Sequence, residues 1–145
     1  MRKVSIKGVL VGGIVDIIAT NLLMIPFIIY VMVKYGLLHT PKPDVQTFTA
    51  VIHGNPSLYA IQLLIGLSCT AFGGYISALL AKHDELLNGL ISSLLCLALG
   101  VYSLIAGKTT TSVQVYVILL VASPAVAMLG GYLRALQIRA HANKA

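Results

Sequence analysis

Asp16 is the residue of this chain whose chemistry is most at odds with its surroundings. It is the single Asp, Glu, Lys or Arg between Lys7 and Lys34, inside an otherwise largely apolar run. A charged Asp at the centre of a membrane-spanning helix costs about 2.5–3.5 kcal/mol on insertion scales. Asp16 must therefore be protonated, paired or facing water. Thr20 stands one turn along and Asn21 nearby, and the hydroxyls of Tyr75 and Tyr132 and the guanidinium of Arg134 are further candidate partners. A carboxyl group so placed can exchange a proton for a substrate or an ion when it faces a cavity.

Other chemistry is poorly represented. No Ser-His-Asp set, HExxH or Gly-rich phosphate loop occurs, so an enzyme is not expected. Asp84 and Glu85 lie beside Lys82 and His83 in a short charged stretch that reads as a solvated turn. Cys69 and Cys96 lack CxxC spacing and read as packing residues with free thiols. His39 and His53 are two isolated histidines, short of the ligand count that zinc requires, and neither a metal nor another cofactor is expected.

The elements that must position Asp16 follow from composition. Of 145 residues 58% are hydrophobic and 10% charged, against roughly 25% charged in soluble domains. The exterior must face lipid. No Asp, Glu, Lys or Arg occurs in Val45–Ala81, Leu86–Gly107 or Thr109–Leu133. With the first run, these gaps predict four spanning helices at about 5–35, 56–81, 86–106 and 112–138 in a single integral membrane domain, 1–145. Asn55 before Pro56 reads as a helix cap followed by proline at the first helical position. The first run is too long for a secretory leader and reads as a retained helix. The loop 36–55 carries a short amphipathic helix at about 43–53, with Val45, Phe48, Val51 and Ile52 at helical spacing, expected on the outer leaflet or capping the bundle.

Seven basic residues (Arg2, Lys3, Lys7, Lys82, Arg134, Arg139, Lys144) fall on one side of this layout and three (Lys34, Lys42, Lys108) on the other. That asymmetry predicts both termini in the cytoplasm of a bacterial inner membrane. It also accounts for the net charge of +6 without invoking nucleic acid. Pro26 and Pro124 fall in the outer halves of the first and fourth spans, where kinks are expected.

An internal repeat adds to the fold class. Phe72-Gly73-Gly74-Tyr75-Ile76-Ser77-Ala78-Leu79 recurs as Leu129-Gly130-Gly131-Tyr132-Leu133-Arg134-Ala135-Leu136, offset by 57. A weaker echo links Lys7-Gly8-Val9-Leu10 with Asn88-Gly89-Leu90-Ile91. The expected architecture is an all-α four-helix membrane bundle built from a duplicated helical hairpin, as a parallel repeat. Helices in lipid associate through close backbone approach, so Gly8, Gly12, Gly73, Gly74, Gly130 and Gly131 are expected packing points. Asp16, Gly73 and Gly130 each lie nine residues from Lys7, Lys82 and Arg139 respectively. At ~1.5 Å per residue that is about 13 Å of depth, near the bilayer midplane. Arg134 replaces Ser77 in the repeat and Asp16 replaces Leu97. The two departures are opposite charges, which predicts an Asp16–Arg134 pair; the alternative is an Arg134 that snorkels outward.

Two resemblances accompany these residues. Gly12-Gly13-Ile14-Val15-Asp16-Ile17-Ile18-Ala19-Thr20 resembles the first helix of small multidrug resistance transporters, four-helix proteins with an acidic residue and a threonine in that place. It implies proton and drug-cation coupling at Asp16. The stretch Gly73–Ala81 with Asn88-Gly89 is similar to a pattern in uncharacterised bacterial small four-helix membrane proteins, which implies the bundle and no activity. Two functions are therefore expected: a proton- or cation-coupled small-molecule transporter or channel-like bundle centred on Asp16, or a non-transporting accessory or scaffold subunit packing through its glycine faces. Lipid and a second copy or another membrane protein are the expected partners.

Overall fold

In a computed structural model the described residues form five helices: α1 (Ile6–Lys34), α2 (Val45–His53), α3 (Pro56–Ala81), α4 (Glu85–Ile105) and α5 (Val113–Ala142). The structure describes residues 4–37, 45–81, 83–106 and 113–142. Several expectations fall outside these residues: the positions of Arg2, Lys3, Lys42, Lys82, Lys108, Lys144 and His39, and residues 43–44 of the amphipathic helix. Four helices, α1, α3, α4 and α5, are long and apolar enough to cross a membrane. The chain is an all-α integral membrane protein.

Helix ends follow from local chemistry. Ser5 caps α1, its hydroxyl accepting from the Gly8 N–H at 3.2 Å. Gly36, at φ +67, supplies the left-handed residue after α1. Asn55 Oδ1 accepts from the Ser57 and Leu58 N–H groups at the start of α3. α5 runs on to Ala142, past the expected limit of 138, because Arg139 and Ala140 are strong helix formers and no glycine or proline intervenes. Pro26 and Pro124 lie inside unbroken helices. Ser123 Oγ donates at 3.4 Å to the Leu120 carbonyl, the acceptor that Pro124 leaves without its N–H.

The bundle places small residues inside and large ones outside. Ile6, Ile18, Val121 and Ile105 are 61–81% exposed, whereas Gly8, Gly12, Gly13, Gly73 and Gly74 are buried. This arrangement suits lipid, which exerts no hydrophobic drive between helices and rewards close backbone packing. α1 packs on α3 and α4, and α5 packs on the same two helices; α3 also touches α4, while α1 and α5 share no comparable contact. A two-fold axis exchanging the two hairpins would make the last two pairs equivalent, so the packing departs from that symmetry there.

The Gly-Gly pairs show how. Cβ atoms added at Gly73 would press on Asp16 and Gly12 of α1, and at Gly74 on Ala127 of α5. In the second pair the roles are exchanged, with Gly130 against Ala71 of α3 and Gly131 against Glu85 of α4. α2 lies on the other end of the α1–α3 hairpin. Its Ile52, 1% exposed, forms a buried cluster with Phe27, Val31 and Leu58. Covering the hairpin buries Ile52 and packs Phe48 and Val51 against the same cluster.

Candidate functional site

Asp16 is 4% exposed, packed against Gly73 of α3. Its Oδ1 accepts from Thr20 Oγ1 and from Thr70 Oγ1, both at 3.4 Å, and its Oδ2 accepts from Cys96 Sγ at 3.2 Å. An ionised carboxylate accepts only, and these three groups on α1, α3 and α4 can all donate to it. No lysine or arginine accompanies them among the described residues that line the site.

On one side of Asp16 the bundle is shut. A Cβ at Gly12 would stand 2.6 Å from Ser77 Cβ, one at Gly73 2.7 Å from Asp16 Cβ, and one at Gly13 2.6 Å from Leu95 Cδ1. Beyond them Asn88, fully buried, ties three segments together. Its Oδ1 accepts from the Ser5 N–H at 2.8 Å, and its Nδ2 donates to the carbonyls of His83 and Asp84 at 2.9 and 3.1 Å. The Ser77 hydroxyl donates to the Asn88 carbonyl at 2.9 Å.

On the opposite side a cavity of about 520 Å³ opens, with Asp16 among the residues that line it. Thr20 and Asn21 of α1, Gln62 and Thr70 of α3 and Ser123 of α5 supply its polar groups, and Tyr59 and Tyr116 its aromatic ones. Their positions follow from helical period: Tyr59, Gln62, Leu63, Gly66, Leu67 and Thr70 recur at three- and four-residue steps along α3. Tyr116 is fixed by donating to the Gly100 carbonyl at 3.1 Å. Tyr59 is braced by the His53 ring at 4.9 Å in an edge-on contact, which gives the loop histidine a packing role.

The expected polar cluster divides in two. Asp16, Thr20 and Asn21 meet at the cavity, Asn21 with its amide donating back to the Ile17 carbonyl at 2.7 Å. Tyr75 and Arg134 do not reach it; Tyr75 Oη donates to Gln137 Oε1 at 2.7 Å, and Arg134 Nη1 reaches the same oxygen at 3.4 Å. Tyr132 is 43% exposed on the outer surface. The expected Asp16–Arg134 pair is therefore corrected: α1 and α5 are not substantial neighbours, and equal depth does not bring residues together across the bundle.

Cys96 is a second correction, since this thiol donates to Asp16 and lines the cavity, while Cys69 is buried at 2% exposure as a packing residue. Thr70, Gln62, Tyr116 and Ser123 carried no sequence signal of a site beyond being polar residues in apolar helices. Compared with protein-family models, with curated proteins and with solved structures, the chain matches none.

Proposed function

We propose that this protein is a small membrane transporter in which Asp16 alternately holds a proton and a cationic substrate. The observation that carries the reading is a largely apolar cavity with a few polar groups that reaches an intramembrane carboxylate from one side, with a sealed glycine layer on the other. A single carboxylate without a cationic neighbour attracts positive charge strongly where water is scarce. The three neutral donors around it can turn away when a cation takes their place. The likeness of residues 12–20 to small multidrug resistance transporters supports the same chemistry.

In this reading the chain is a duplicated helical hairpin with both termini cytoplasmic in a bacterial inner membrane, as its basic residues favour. The cavity then faces outward and the Asn88 and glycine contacts seal the inside. Transport needs the seal to open as the cavity closes, and a second copy is a natural partner for so small a bundle. The scaffold alternative loses its main support, because Gly8, Gly12, Gly73, Gly74, Gly130 and Gly131 are all turned against other helices of the same chain. Reconstituted in vesicles, the wild type should couple substrate uptake to proton movement, and Asp16→Asn should reduce that flux at least 100-fold, about 2.7 kcal/mol. Equal flux in both proteins, or none in either, would reject transport.

A further inference from the structure

The two hydroxyl contacts of Asp16 are long. Thr20 Oγ1 and Thr70 Oγ1 each stand 3.4 Å from the same carboxylate oxygen, Oδ1, whereas O–H···O bonds centre near ~2.7–2.8 Å. Hydroxyl oxygens from two helices thus flank one carboxylate oxygen at a spacing wider than hydrogen bonding asks for. That spacing is the one a cation sets among its ligands. Na⁺ is the size of Ca²⁺, and an ion of that size takes oxygens at ~2.3–2.6 Å, which places two oxygens at right angles about it ~3.3–3.7 Å apart. Mg²⁺, at ~2.0–2.1 Å, would draw them to about 2.8–3.0 Å, and the larger K⁺ would spread them further. Charge decides between Na⁺ and Ca²⁺. Asp16 is the single Asp or Glu among the described residues that line the cavity, and one buried carboxylate balances one positive charge.

We propose that Asp16, Thr20 and Thr70 form a Na⁺ site. The proposal names the cation that takes the proton's place in the transport reading above, and it rests on that reading for the cavity as the route of entry. Cys96 engages the other carboxylate oxygen, Oδ2, at 3.2 Å, leaving Oδ1 to the hydroxyl side. Gly73 of α3 lies against the Asp16 Cβ, so the carboxylate is packed in place. A helical threonine can turn its proton to the carbonyl four residues back. For Thr20 and Thr70 those carbonyls belong to Asp16 and Gly66, and the hydroxyl lone pairs are then free for the ion. All three ligand residues line the cavity, from which water completes the coordination.

The test is calorimetric titration of the purified full chain, in an uncharged detergent, with NaCl and separately with KCl and CaCl₂. Na⁺ should bind about tenfold more tightly than either, and Asp16→Asn should abolish its binding. Thr70→Val keeps the shape and removes the oxygen, so it should weaken Na⁺ about tenfold, the scale of one lost contact to a charged group. Thr20→Val should do the same. Thr70→Ser and Thr20→Ser keep the oxygens and should bind as the wild type does, a rescue that a role in packing alone would not give. No Na⁺ binding by the wild type, K⁺ or Ca²⁺ bound as tightly, or unchanged affinity in the valine variants would overturn the proposal. The two readings fail separately: absent flux with this Na⁺ affinity pattern intact removes transport alone, and coupled flux without the pattern removes the Na⁺ site alone.

Discussion

Replacing Gly130 with valine will force α3 and α5 apart and cost about 3 kcal/mol or more, the upper range for overpacking a tight interior. The Cβ of any residue at this position would overlap the Ala71 carbonyl oxygen and lie 2.8 Å from the Tyr75 amide nitrogen. Both obstacles are backbone, so no side-chain rotation relieves them. The consequence reaches the site, because α3 also carries Thr70 and Gln62 and presses Gly73 on Asp16. Gly66→Ala on α3 is the matched control. Nothing lies within 4 Å of a Cβ there, so alanine should stabilise the helix by about 0.5–1 kcal/mol. Thermal unfolding in detergent, followed by helical circular dichroism, distinguishes the two; similar midpoints for both variants would refute the close-packing account.

Asn88→Leu should cost about 3 kcal/mol, because leucine fills the space and leaves two backbone groups without the partner that the Asn88 side chain supplied, each worth ~1–3 kcal/mol when buried. Those groups are the Ser5 N–H and the His83 carbonyl; the Asp84 carbonyl loses one donor and keeps the backbone N–H of residue 88. Asn88→Asp separates the roles. It keeps an acceptor for Ser5 and turns a second acceptor on two carbonyls, so it should be nearly as damaging as leucine. Ser5→Ala removes only the hydroxyl cap of α1, which is worth about 1 kcal/mol. If Asn88 serves as the closing tie of a transporter, its variants should also leak, seen as proton flux without substrate. Wild-type stability in Asn88→Leu would show that the tie carries no load.

Asp16, the four apolar spans, the short amphipathic helix and the paired glycines were legible from residue types and spacing. Cys96 and Thr70 were not, because they meet Asp16 from 80 and 54 residues away. Neither is charged, and a thiol and a hydroxyl in apolar helices are as suited to packing as to a site. Arg134 was misjudged for a related reason. The repeat and the basic anchors set how deep it lies, but depth does not determine which helices are neighbours. Gln62 was hidden as well, since a glutamine stands out only when its oxygen is found without a partner.

The sequence by itself determined position along each helix. Rise per residue is constant and the ends of each apolar run are anchored, so Asp16 and the glycines are located in depth by counting. The arrangement within the membrane plane was left to the tertiary structure. There the contacts depend on which backbones can approach most closely, as where Gly12 meets Gly73, Gly74 meets Ala127 and Gly130 meets Ala71. Those approaches put α3 beside both α1 and α5 and separate Asp16 from Arg134, and the cavity opens beyond them.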